Sequence, residues 1–150
     1  MKYKLFIILI VILFISGCVK NNEKIAYTCK IDDFAPTYTS ALTYTIKTSD
    51  NNSISSIEST AIYSATYDDT NFDDVILALK REKEKYEKEY TDAKVEFDEK
   101  DYQLFFNVYI PINEYNLEKF KTADSSLLEN NTLSTTKYKQ YLEKNGYMCN

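Results

Sequence analysis

Few residue types in this chain can do chemistry. It contains 3 Cys, 2 Gly and no His. Without His, Ser-His-Asp and Cys-His catalysis in their usual form are excluded, and so are zinc sites built on His. The glycines are Gly17 and Gly146, too far apart to make a loop that cradles a phosphate or a dinucleotide. What remains is thiol chemistry at Cys18, Cys29 and Cys149, and carboxylate chemistry. In the stretch DDTNFDD, Asp69, Asn71 and Asp73 have the i, i+2, i+4 spacing of a calcium loop. An EF-hand also needs Gly at the sixth position and Glu at the twelfth, where Asp74 and Lys80 stand. The stretch reads better as a helix start, with Thr70 or Asn71 as cap and Asp73 and Asp74 at the positive end of the dipole. No metal and no cofactor are expected. Two carboxylates can work as acid and base without His, but no motif places such a pair.

Cys18 ends an apolar run. Met1–Lys4 carries two lysines, Leu5–Ile15 is uninterrupted apolar sequence, and Ser16, Gly17 and Cys18 follow. A basic start, a short apolar stretch and small residues at its end describe a secretory leader. The run falls short of the roughly 20 apolar residues that span a bilayer. Ile15-Ser16-Gly17-Cys18 resembles the lipobox of bacterial lipoproteins. The resemblance implies cleavage between Gly17 and Cys18 and a diacylglyceryl group, with palmitate-type chains, on the Cys18 thiol. Two acyl chains suffice for stable anchoring. The expected organisation is a leader over 1–17, a lipidated tether over 18–24 and one domain over 25–150. The expected address is the extracytoplasmic face of the cell membrane.

If Cys18 carries lipid, Cys29 and Cys149 are left to each other in an oxidising compartment, and a structural disulfide is expected. Two buried free thiols or a redox pair are the alternatives, although the C-x-x-C spacing of a redox pair is missing. The formal net charge is −5, and losing Lys2 and Lys4 with the leader makes the chain more acidic. That balance argues against nucleic acid or an anionic bilayer as the principal partner. The lone arginine, Arg81, argues the same way, because Arg is favoured for bidentate phosphate recognition. The partners expected are the membrane, through the lipid, and an envelope protein or ligand.

The elements follow from periodicity. Ile25–Phe34 reads as a strand, broken by Ala35-Pro36-Thr37. Leu42, Tyr44 and Ile46 alternate with polar residues, as do Ile57 to Tyr67 with Ile62 as the apolar exception. These predict two strands of a hairpin around Ser49–Ser53. Phe72, Val75, Ile76, Leu79, Tyr86 and Tyr90 form one stripe of a helix from about Phe72 to Asp92, whose other face is the solvated run KREKEKYEKE. Val95 and Phe97 open another strand, Asp98–Asp101 reads as a turn, and Tyr102–Ile112 alternates as the strongest strand. Its even face should meet the helix. Its odd face carries Phe105 and Tyr109, either as a binding surface, as ordinary strand composition, or as a second small core under the C-terminal segment. Pro111 marks an edge or a strand end. Asn116–Thr122 suits a short helix, and Leu127, Leu128 and Leu133 suit anchors of a loop. Asn130-Asn131-Thr132 matches a glycosylation sequon that a bacterial lipoprotein is not expected to use. Ser134 or Thr135 should cap a last helix ending at Asn145-Gly146.

The resulting expectation is an α+β domain: an antiparallel sheet of about five strands, one long helix on one face and a short C-terminal helix. The lipobox ISGC, the opening YTCK strand, the DEKDYQLFFNVYI strand after a charged helix and the closing YLEKNGYMC together resemble the YehR-like family of small bacterial lipoproteins. That resemblance implies a lipobox, an antiparallel sheet with a long helix, and no catalytic motif. The function expected is a noncatalytic binding or interaction module of the cell envelope, with Phe105 and Tyr109 on its candidate surface. A carboxylate-dependent hydrolase of cell-wall or extracellular substrates and a ligand-free spacer are the alternatives.

Overall fold

A computed structural model describes residues 23–34, 38–49, 52–65, 73–100 and 103–150. The expectations for Gly17, Cys18 and the cap at Thr70 or Asn71 lie outside the described residues. Alternating sequence makes long strands: β1 (Lys24–Phe34), β2 (Tyr38–Thr48), β3 (Ile54–Ala65), β4 (Lys94–Lys100) and β5 (Gln103–Pro111). With β8 (Met148–Cys149) they form one antiparallel sheet in the order β4-β5-β3-β2-β1-β8. The register gathers the apolar residues on one face. One row runs Cys149, Cys29, Tyr44, Ser59, Val108, Val95 across all six strands. The next runs Tyr27, Ile46, Ile57, Ile110.

Three helices cover that inner face: α1 (Asp73–Glu89), α2 (Glu114–Ala123) and α3 (Thr135–Lys144). The core under them has two parts. Leu79 of α1 packs with Val95, Phe106 and Val108. Tyr138 and Leu142 of α3 pack with Tyr27, Cys29 and Ile46. Ile112 and Phe120 touch both parts and bridge them.

Several expectations need correcting. The sheet has six strands, not about five, and the short helix expected near Asn116–Thr122 stands beside the long and the C-terminal helix as a third covering helix. The sixth strand is two residues long and shows no alternation; a turn and a disulfide make it a strand. The N–H of Gly146 donates to Glu143 and that of Tyr147 to Leu142, 3.0 and 3.1 Å, which is a Schellman ending of α3. Gly146 takes φ +91° there, a conformation that side chains with a Cβ rarely adopt. The turn lays Cys149 directly opposite Cys29, Cα atoms 4.0 Å apart, and the two are bonded. Asp98–Lys100 are not a turn but stay in the ladder opposite Phe105, Leu104 and Gln103. Charge is tolerated there because β4 is an edge strand, and it discourages pairing with other chains. Pro111 ends β5, which is interior, so it marks a strand end and not an edge. Asn130 and Asn131 lie at φ 48° and 59° between paired Glu129 and Thr132, the left-handed pair of a tight hairpin turn. That hairpin joins β6 (Leu128–Glu129) to β7 (Thr132–Leu133) and buries Leu133 completely.

One polar side chain is fully buried where the layers join. The Asn116 amide donates to the carbonyls of Thr91 (2.8 Å) and Pro111 (2.7 Å), and its oxygen accepts from the Thr91 N–H (2.8 Å). Asn113 caps α2 by accepting from the Asn116 N–H at 2.9 Å. The end of β5, the turn after α1 and the start of α2 are thereby held at one point.

Two stability results follow. Replacing Cys29 and Cys149 together by Ala should cost about 3–5 kcal/mol, because the bond closes a loop of 120 residues in the unfolded chain; urea unfolding of the variant measures it. Asn116→Ala should cost about 2–4 kcal/mol, since it strips three backbone groups of a partner. Asn116→Asp should be worse at neutral pH, where a carboxylate would face two carbonyl oxygens. Its folded-state pKa is then raised, so the variant should gain stability relative to the parent as pH falls, read by denaturant midpoints across acid pH.

Candidate functional site

The register assigns Phe105 and Tyr109 to the outer face of the sheet. Phe105 lies between Asp98 and Ile62, and Ala41 follows Ile62 in the same row. The apolar exception of β3 therefore stands beside the aromatic residue of β5. Tyr109 lies between Lys94 and Glu58. Both aromatic side chains are half-buried. The C-terminal elements pack on the inner face, so they do not make a second core over Phe105 and Tyr109.

The rest of the outer face is knit by polar pairs across strands. Thr60 Oγ1 donates to Asn107 Oδ1 (2.8 Å), Gln103 Nε2 to Ser64 Oγ (2.9 Å), and Lys47 pairs with Glu58. That pairing favours the charged ammonium and raises the Lys47 pKa. A shallow depression of about 430 Å³ is bordered by Glu58, Thr60, Lys94, Glu96, Asn107 and Tyr109. Glu58 and Glu96 both reach it, but Glu58 is engaged by Lys47. Asp73, the calcium-loop candidate within the described residues, lies exposed in the first turn of α1. No group of three metal-ligating side chains occurs among the described residues. Cys29 and Cys149 are bonded to each other and offer no thiol.

A second concavity lies on the inner face, over the middle of the sheet where the two parts of the core meet. Tyr44, Ser59, Tyr86, Tyr90, Phe120 and Tyr138 are among the residues around its volume of about 160 Å³. The rings form a chain: Tyr86 to Tyr90 at 6.0 Å, Tyr90 to Phe120 at 5.8 Å, Phe120 to Tyr138 at 6.3 Å. Burial pushes the phenol of Tyr138 well above the ordinary range and raises Tyr44, Tyr86 and Tyr90 as well. Tyr27, whose hydroxyl donates to the Thr135 carbonyl at 3.0 Å, is raised too, first by burial and then by Glu143. In sequence, Tyr44 sits on an alternating strand and Tyr86 and Tyr90 on one helical stripe, each interpretable as ordinary core. The signal available was that the α1 stripe carries Tyr as well as aliphatic residues.

Neither a protein-family model nor a curated protein matches the chain. Among solved structures, the NMR structure of E. coli YehR is similar, with a TM-score of 0.54 over 85% of this chain and 92% of that one. The fold is YehR-like. At 13% identity the likeness to YehR speaks for the arrangement of strands and helices and not for a shared activity. The antiparallel α+β arrangement expected from the sequence is thus found both in this chain's own register and in a solved neighbour.

The raised phenols have a consequence at high pH. An unfolded tyrosine ionises near pH ~10, while the buried ones ionise later in the folded state. Their contribution to stability is complete below that pH and is lost as pH rises above it. Denaturant midpoints should fall steeply in alkali. The ultraviolet signal of phenolate should lag behind that of the unfolded chain and complete only on unfolding. Full titration of a chain that circular dichroism shows still folded would contradict this.

Proposed function

We propose that this chain is a membrane-tethered binding module of the cell envelope. A diacylglyceryl group on Cys18 holds it at the outer side of the membrane, a short tether leads to β1, and the outer sheet face docks a partner protein. The observation that carries the reading is one-sided covering. All three helices lie on the inner face, whereas Phe105, Ile62, Ala41 and Tyr109 lie in rows that no described element covers. The surface is built from strands of eleven and twelve residues with interspersed charges of both signs. Its breadth and shallow relief suit a macromolecule. Its mixed charge suits a protein better than a polyanion.

The test is site-specific photo-crosslinking in intact cells. A photoreactive residue at position 43, on the outer face, should give one discrete adduct, and the same residue at position 84, on the solvated side of α1, should not. Phe105→Ser with Tyr109→Ser should abolish the adduct without lowering the melting temperature by more than a few degrees. Cys18→Ser should move the protein out of the membrane fraction and remove acyl-chain labelling. Indistinguishable adducts from positions 43 and 84, or acyl labelling that survives Cys18→Ser, would each overturn its part of the proposal.

A further inference from the structure

The ring-walled cavity on the inner face is unlike ordinary core. It is a partly open concavity of about 160 Å³, with room for on the order of five water volumes, and not a sealed void of the kind that protein interiors avoid. It lies at the seam where the cover provided by α1 meets that provided by α2 and α3. Its floor is the row of Tyr44, Ser59 and Val108, with Ile57 and Ile110 beside it. Its walls are Tyr86 and Tyr90 of α1 and the segment after it, Phe120 of α2 and Tyr138 of α3. Five aromatic rings from four parts of the chain surround one space. The single small side chain beneath them, Ser59, keeps it open.

The electrostatics of the walls favour one sign. Among the described residues, no Lys or Arg lines the cavity. Aromatic faces carry a negative quadrupole and attract cations. Glu82 and Glu89, four residues before and three after Tyr86, lie on the same side of α1 and act electrostatically on the Tyr86 hydroxyl, with Lys85 offsetting part of the Glu82 charge at 3.7 Å. Glu89 acts on Tyr90 as well. The chain as a whole is acidic, with a formal net charge of −5. A strongly hydrated ammonium would lose its water here without a carboxylate in the lining to replace it. A methylated ammonium holds water weakly and presents methyl groups to the rings.

We infer that the cavity walled by Tyr44, Tyr86, Tyr90, Phe120 and Tyr138 is an aromatic cage for a small quaternary ammonium group. Such a group is a compact cluster of about five heavy atoms, which the space accommodates. The surrounding rings hold it, and the hydroxyls are not required. This site is independent of the outer sheet face and stands whether or not that face docks a protein.

Calorimetric titration of the full lipidated chain in a maltoside detergent tests the inference, with choline as probe and 3,3-dimethylbutan-1-ol as its uncharged isostere. Choline should bind at least about tenfold more tightly than the alcohol. Tyr86→Leu and Tyr90→Leu, at half-buried positions, should each weaken choline about tenfold while leaving the alcohol nearly unchanged. Tyr44→Phe, which keeps the ring, should leave choline affinity within about twofold. Ser59→Leu should fill the space and abolish binding of both, with circular dichroism verifying that each variant is folded. Equal affinities for choline and the alcohol, absence of choline binding, or a loss on Tyr44→Phe as large as that on Tyr90→Leu would each overturn the cage.

Discussion

The Asn116 amide has no access to water, and each of its three hydrogen bonds ends on the backbone. Backbone groups left unpaired in such a place cost more than the net value of an ordinary hydrogen bond. The position of α2 therefore has little latitude. The helix must start where one side chain reaches both the end of β5 and the turn that follows α1. Phe120, one turn further along α2, then falls between the two parts of the core, where it meets Tyr90 at 5.8 Å and Tyr138 at 6.3 Å. The seam of the inner face, with its cavity and ring of tyrosines, is set by this one amide.

A second constraint acts from the other end of the chain. The Schellman ending of α3 and the Cys29–Cys149 bond fasten the last residues to β1, and the Asn150 N–H donates to the Thr28 carbonyl at 2.9 Å. Tyr147 is carried with them and meets Tyr44 at 5.4 Å. The disulfide is thus more than a loop closure. It places an aromatic neighbour beside the floor of the cavity and covers part of the β1 edge with a short strand, as sheet edges require.

The two faces of the sheet divide the labour. Alternation gives each long strand an apolar side and a polar side, and the three helices use up the apolar one. The polar side keeps cross-strand pairs such as Thr60 with Asn107 and Lys47 with Glu58, which hold the register without needing a cover. Phe105 and Ile62 depart from that polarity as neighbours, and Tyr109 departs from it two rows away, between Lys94 and Glu58. A binding surface there and a cage on the inner side would make use of opposite sides of the same strands.

Sequence alone determined strands at β1, β2, β3 and β5, the hairpin of β2 and β3, the inward even face of β5, a cap at Ser134 or Thr135, of which the structure uses Ser134, and the stop at Gly146. Each of these rests on interactions within a few residues or on a simple alternation of apolar and polar types. The lipobox-like ISGC set Cys18 apart and so pointed to the bond between Cys29 and Cys149. Only the tertiary structure decided that β4 runs on through its charges, that two residues at the C-terminus make a sixth strand, and that Asn130 and Asn131 form a turn. It alone showed Asn116 as a buried junction, since an Asn at a helix start looks the same in sequence whether it faces water or three backbone groups. It alone brought Tyr44, Tyr86, Tyr90, Phe120 and Tyr138 around one space. Each of those residues fits its own element as ordinary core, and only the packing of elements distant in sequence fixes which rings face one another.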